Sequence, residues 1–437
     1  MISDLSIESY TKFPKSSNKR QQSVKSRRER AEPGRTQEGG VPSSKTAQIE
    51  DGEAKNGVPS SKTARNEDGK GAAAETGGGG TPAENTAESG SGRCMPHGAI
   101  LILSSYICHT KVKRMDEIRY FDFARLDGVQ AGNAQDDAAA TGVTVFFFPK
   151  PAMASAVVLG GGPASRELPL LDPERNTQPL NALVFSGGSA HGLAAADGVV
   201  RCLEQAGYGY DTGYGLVPIV CQSDIFDLSY GDGTVRPDRE MGYQACEDAM
   251  RGHHPLSGNV GAGTGATVGK AAGMARSQKS GIGYAAARLG ELEVGVSVVV
   301  NALGDIFAEG RKIAGMTTPD RRAFASAEEE VLRIQASDLI TGAKNTTLAA
   351  IFTNGDFDTA SLKKVAAIAS AGMARSIRPV FTMADGDTVY AVSVGKKKLH
   401  TDVNTVGILA AIVLEKAIAD AVTASRILDE AFLSQIH

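Results

Sequence analysis

The sequence predicts an α/β fold from two observations. Short β-branched runs recur along residues 115–437, and Ala-rich segments with helical apolar spacing lie between them. A third observation marks where that pattern begins. Residues 1–114 are rich in Ser, Gly, Lys, Glu and Asn, and GVPSSKTA occurs at 40–47 and again at 57–64. A Gly77–Gly80 run follows. Such composition cannot bury enough apolar surface to offset ordering entropy, so a disordered low-complexity tail is expected. Lys25, Arg27, Arg28 and Arg30 within it read as a solvated patch, with targeting or anion binding as the functional alternative. Met115 then opens ordinary globular sequence and is the expected biological start.

Thr141–Phe148 reads as a strand closed by Pro149, and Leu183–Phe185 as a short buried strand. The latter enters Ser186-Gly187-Gly188-Ser189 and a helix from Ala190 to Gln205, ended by Gly207. Val294–Val300 is a strand ending at Asn301; Leu348–Phe352 and Val389–Val394 are two more. Ser361–Ile377 is a helix with Leu362, Val365 and Met373 on one face, stopped before Pro379. A last helix is expected from about Thr405 to Phe432. The many small residues suit helices packed closely on sheets.

The chain has 437 residues, 41% of them hydrophobic, which is enough for at least one large core. A net charge of −4 gives no reason to expect nucleic acid as a partner. Cys94, Cys108, Cys202, Cys221 and Cys246 form no CxxC pair, so they read as reduced thiols of a cytoplasmic protein. The His residues show no metal spacing, and neither a metal nor a cofactor is expected. Met1–Lys15 has no signal-peptide core, and the apolar runs at 99–108 and 406–414 fall short of the roughly 20 residues that span a bilayer. No membrane partner is expected.

The chemistry concentrates where Asn345-Thr346-Thr347 opens the Leu348–Phe352 strand. Cleaving Asn345–Thr346 would give Thr346 a free α-amine, with a reference pKa of about 7.7–8.0, beside its own hydroxyl. Such an amine is a recognised activator of a weak Thr nucleophile. The same residues also suit a plain turn into a core strand. Asp385-Gly386-Asp387-Thr388 follows. In an extended segment the two carboxylates face the same way, one to hold the nucleophile and the other raised in proton affinity. An Asp-Gly hairpin is the structural alternative. Gly261-x-Gly263-x-x-Ala266 fits a relaxed dinucleotide pattern but follows no strand. Thr264 and Ala271 both break a phosphate-loop pattern, leaving a tight turn that delivers backbone amides and Lys270. Gly188-Ser189 resembles a nucleophile elbow, but His191 stands where the second Gly belongs. A Ser189 hydrolase remains open beside a turn whose helix N-terminus shapes a pocket.

Together these segments resemble the L-aminopeptidase/D-esterase family, which includes β-peptidyl aminopeptidases and nylon-oligomer hydrolases. The carrying residues are Leu183–Leu193, Arg236-Pro237-Asp238 with Met241-Gly242-Tyr243, Gly258–Lys270, Val300-Asn301-Ala302, Asn345-Thr346-Thr347 and Asp385–Thr388. They run in unbroken order from about Ile118 to the C-terminus. The resemblance implies an αββα four-layer sandwich like that of N-terminal-nucleophile hydrolases, with different strand connectivity. It implies self-cleavage at Asn345–Thr346 into a large chain, 115–345, and a small chain, 346–437. Thr346 would be both autoproteolytic and catalytic nucleophile, similar to the nylon-oligomer branch. Asp385 and Asp387 would orient it and relay protons. Asn301 would be an oxyanion donor, and Lys270 would favour the free amine and stabilise anionic intermediates. Some members carry a Tyr where Phe226 stands; a Phe cannot donate, and Tyr230 is the nearby substitute. The implied substrate is a small peptide, amide or ester, and the implied assembly a homo-oligomer, with a tetramer compatible. A non-catalytic small-molecule-binding protein on the same fold is the rival reading.

Overall fold

The structure is a computed structural model and describes residues 117–176, 178–334, 344–396 and 398–436. The expected tail, its basic patch and the Met115 start lie outside these residues.

One long strand organises the fold. Thr141–Val158 runs through Pro149 and Pro151, so Pro149 does not close it as the sequence suggested. The prolines fall where its pairing to Leu180–Ser186 breaks, between Phe147 and Ala152, and a missing N–H costs nothing there. Before the break the strand pairs with Gln130–Asp136 on one side and Leu180–Ser186 on the other. After it, residues 153–158 pair with Thr388–Ser393. The strand therefore belongs to two sheets. Beyond Thr388–Ser393 the first sheet continues through Thr346–Thr353, Leu292–Asn301, Ile282–Leu289 and Arg119–Phe121. The second continues from Leu180–Ser186 to Val220–Asp224 and Ala164–Arg166.

Side-chain alternation along these strands builds three apolar layers. Leu348, Ala350 and Phe352 of the first sheet meet Phe146, Leu183 and Phe185 of the second. Phe146 lies 5.4 Å from Phe185 and 5.3 Å from Phe352, centroid to centroid. On the opposite face of the first sheet, Val296, Val298, Ala349 and Ile351 pack against the Thr359–Ser376 and Val403–Ala424 helices. On the far face of the second, Val143, Val145 and Val184 pack against Ala195–Gln205 and Arg239–Arg251. The result is the expected αββα order.

Other boundaries shift. A 3-10 turn, Ser189–Ala194, precedes the helix that was expected to start at Ala190. Thr346 and Thr347 are strand residues rather than a turn, and so is Asn301. The last helix is two. It ends at Ala424, where the Ser425 hydroxyl donates to the Ala421 carbonyl, and a short helix, Asp429–Leu433, follows. The break lets Phe432 stack on Tyr230, 5.3 Å away. That stacking places Tyr230 in a cluster with Phe432 and Ala140.

Candidate active site

The site forms at the ends of three neighbouring strands in the first sheet. Thr346 stands directly opposite Asn301 across an antiparallel pair. Both continue the inward-facing set, two residues before Leu348 and two after Val299, so both face the space between the sheets. On the other side Asn345 bridges to Asp385 in a parallel sense, so the Asp-Gly pair extends beside Thr346 rather than turning a hairpin.

The Asn345 carbonyl is held from two directions. The Thr346 hydroxyl donates to it at 2.5 Å, and the Gly386 backbone N–H donates at 2.8 Å. The Asn345 side-chain amide donates to the Ala384 carbonyl at 3.2 Å, fixing the residue before the bond. Gly386 is there because nothing larger fits. A Cβ at that position would lie 2.7 Å from Thr346 Oγ1 and 2.8 Å from the Gly162 carbonyl oxygen.

Asp387 Oδ1 accepts from the Thr347 N–H at 2.6 Å and Oδ2 from the Phe381 N–H at 3.0 Å. Asp385 Oδ2 accepts from both the backbone and the hydroxyl of Thr382. Phe381 takes a left-handed φ of 61°, a strained conformation for an aromatic residue, and its N–H bond to Asp387 helps hold it there. Burial first, and the neighbouring Asp385 charge second, push Asp387 up to about 8. Burial also raises Asp385.

Lys270 Nζ donates to Asn301 Oδ1 at 2.7 Å, to the Asn301 carbonyl at 3.1 Å and to the Lys344 carbonyl at 3.3 Å. Three acceptors match the three N–H bonds of an ammonium. Burial pulls that ammonium down to about 7, against the opposing pull of Asp385, Asp227 and Asp387. Asn301 Oδ1 also accepts from the Thr267 N–H at 3.1 Å, while Asn301 Nδ2 donates to the Phe226 carbonyl at 2.8 Å. In the uncut chain one amide hydrogen of Asn301 is thus spent on Phe226, and Gly386 supplies the donor to the Asn345 carbonyl. Phe226 takes part through its carbonyl, as an acceptor. Asn301→Ala removes the side-chain contacts to Lys270 Nζ and to the Phe226 carbonyl, leaving Lys270 its two backbone acceptors. By loosening the position of these groups it should slow chain splitting by roughly 10²-fold, read as intact chain against time on a denaturing gel.

The Gly188-Ser189 turn sits one residue further along the same connection. Asp227, next to Phe226, accepts from the Gly188 N–H at 2.7 Å and from the Thr141 hydroxyl at 2.7 Å. Gly188 and Ser189 both have left-handed φ, 81° and 53°. The Ser189 N–H is tied to the Ile225 carbonyl at 2.9 Å.

The sequence reading passed over Gly160-Gly161-Gly162. Gly160 N–H donates to Asp387 O at 3.2 Å, Gly161 N–H to Thr382 O at 3.1 Å and Gly162 N–H to Asp385 O at 2.8 Å. This run grips the backbone of the acidic segment, and a Cβ on Gly160 would lie 2.4 Å from the Asp385 carbonyl oxygen. Three consecutive glycines straight after a strand are the signal that could have found it. Thr382, three residues before Asp385, had a weaker one: a hydroxyl spaced to cap a following carboxylate.

Among the described residues no group of His, Cys, Asp and Glu is placed to hold a metal ion, and no helix is long and apolar enough to cross a membrane.

The profile of peptidase family S58 matches residues 124–431. An uncharacterized aminopeptidase of Mycobacterium leprae is 39% identical over 272 residues, which cover 59% of this chain and 71% of the relative. A 6-aminohexanoate-oligomer endohydrolase of Agromyces is 32% identical over 289 residues, covering 65% of this chain and 77% of the relative. Among solved structures, the L-aminopeptidase D-Ala-esterase/amidase of Ochrobactrum anthropi, a variant of the Ntn-hydrolase fold, superposes with a TM-score of 0.53. The match is 16% identical and covers 70% of this chain and 88% of that one. A β-aminopeptidase of Burkholderia gives 0.50 at 20% identity, over 72% of this chain and 93% of that one.

Proposed function

The chain belongs to peptidase family S58 and is a hydrolase of peptide and amide bonds, and from that premise we propose that Thr346 is its nucleophile, freed by self-cleavage at Asn345–Thr346. One observation carries this reading: the Thr346 hydroxyl and the Gly386 N–H meet on the carbonyl oxygen of the bond to be cut.

In the first step Thr346 Oγ attacks the Asn345 carbonyl carbon, and negative charge develops on an oxygen that Gly386 already holds. The C–N bond breaks, the Thr346 nitrogen takes a proton, and an ester joins Asn345 to Thr346 Oγ. Water hydrolyses the ester. Asn345 becomes the C-terminus of the large chain and Thr346 the N-terminus of the small one. In turnover the new amine takes the hydroxyl proton, Oγ attacks an external amide carbonyl, and water clears the acyl-enzyme. Lys270, Asn301, Asp385 and Asp387 hold this arrangement and supply charge and protons. Substrates on this reading are short amides and peptides. The curated relatives include an aminopeptidase and an oligomer endohydrolase, which supports both end-on and internal cleavage. A cytoplasmic location is proposed on the scattered cysteines and a homo-oligomer on the family resemblance, and light scattering of the purified protein tests the assembly.

Intact-mass measurement of purified protein tests the core of the proposal. Two chains meeting between Asn345 and Thr346 are expected, and a single uncut chain after long incubation would defeat it.

The pH profile is a second test. Below the Thr346 amine's range, ordinarily about 7.7–8.0, that base is protonated and turnover falls. Asp387 is a neutral acid below about 8 and an anion above it, adding a second negative charge beside Asp385. Hydrolysis by the mature enzyme should therefore show a narrow optimum, with the alkaline limb set by the acidic pair. Asp387→Asn should remove the alkaline limb and leave the acid one. An unchanged alkaline limb in that variant would show that Asp387 does not set it.

A further inference from the structure

The helices Ala195–Gln205 and Arg239–Arg251 meet almost without intervening side chains. A Cβ on Gly198 would lie 1.8 Å from the Arg239 carbonyl oxygen, and one on Gly242 would lie 2.0 Å from that of Ala195. Side chains four residues apart share a helix face. One turn beyond each glycine stand Cys202 and Cys246, both reduced and both in the same seam. Met250, one turn past Cys246 on the same helix, places its Sδ 3.9 Å from Cys202 Sγ.

The two cysteines differ in access. Cys246 is fully buried, whereas Cys202 is 4% exposed and lines a surface hollow of about 280 Å³ with Gln205, Tyr243 and Met250. The hydrogen bond from Cys246 draws the Cys202 thiol below its ordinary range, and the same bond, with burial, raises Cys246. Cys221, the other cysteine among the described residues, is buried and pushed up to about 12.

We propose that Cys202 and Cys246 are a redox-active dithiol, in which a small hydroperoxide oxidises Cys202 and Cys246 resolves it as a disulfide linking the two helices. Cys202 thiolate attacks the terminal peroxide oxygen and the O–O bond breaks. Cys202 becomes a sulfenic acid, and the peroxide leaves as alkoxide, or hydroxide from hydrogen peroxide, and takes up a proton. The Cys246 sulfur then attacks the Cys202 sulfur, and the hydroxyl leaves as water with the Cys246 proton. Two thiols have lost two electrons and the peroxide has gained them. The glycine contacts hold the two helices, and with them the two cysteines, side by side; a disulfide between them needs Cα atoms about 4.4–6.8 Å apart. The link closes a long loop, so the oxidised protein gains thermal stability.

The test treats the full-length protein with hydrogen peroxide, blocks remaining thiols with N-ethylmaleimide and maps peptides without reduction. A Cys202–Cys246 cross-linked peptide, lighter by two hydrogens and reversed by dithiothreitol, is expected, with a Tm raised by several degrees. Cys246→Ser should leave Cys202 as a sulfenic or sulfinic acid, and Cys202→Ser should leave Cys246 unoxidised. If either variant fails to fold, the parent map decides alone. Cys202 carrying only N-ethylmaleimide after peroxide, or over-oxidised without a cross-link in the parent, would overturn the proposal.

Discussion

Thr346→Ala should leave the chain in one piece and without hydrolytic activity. The variant removes the proposed attacking oxygen and the γ-methyl beside it, and the hydroxyl's one described bond is to the carbonyl it would attack. The strand hydrogen bonds and the Asp387 bond to the Thr347 N–H do not depend on it. Folding should therefore survive, with Tm close to that of the parent. Thr346→Ser restores an oxygen at the same place and should restore splitting. Denaturing gels and mass spectrometry read the first effect, and release of amine from a short amide reads the second. Splitting in Thr346→Ala would transfer the chemistry to Thr347 or Ser189. Thr347 is poorly placed for it, because its side chain alternates to the opposite face of the sheet.

Gly386→Ala should lower both splitting and turnover by roughly 10²-fold or more, since a misplacement of about 1 Å at a reacting centre costs that much. The added methyl meets Thr346 Oγ1 at 2.7 Å on one side and the Gly162 carbonyl oxygen at 2.8 Å on the other. The second contact is with backbone that Gly162 N–H itself ties to Asp385. The methyl therefore has nowhere to go except by moving the hydroxyl or the N–H that holds the Asn345 carbonyl. Single-turnover splitting kinetics, begun from refolded uncut chain, measure the loss. Parental rates in this variant would show that the hydroxyl does not work from where it stands.

Much of this arrangement was legible in the residues. The Val294–Val300, Leu348–Phe352 and Val389–Val394 runs are mostly apolar, broken only by Ser297 and Ser393, because their strands are buried on both faces, and that pattern is strong. Gln130–Asp136 went unread because its Gly, Ala, Asn and Gln residues carry no strand preference; pairing with the long strand imposes the conformation. Pro149 misled for a related reason. A proline ends a strand only where its N–H is needed, and here it falls at the corner where one sheet gives way to the next.

The candidate nucleophile was legible in the sequence, because a hydroxyl residue after Asn at the mouth of a core strand is a local property, and the family resemblance set it above a plain turn. So was the acidic pair, two residues apart in a segment that could also have been an Asp-Gly hairpin. The tertiary structure alone decided which groups hold the Asn345 carbonyl and which carry charge near neutral pH. Gly386 reaches that carbonyl, and Asn301 is committed to Phe226 and Lys270, through contacts between segments far apart in the chain. Lys270 falls to about 7 and Asp387 rises to about 8 because folding removes both from water, and desolvation has no counterpart in the unfolded chain.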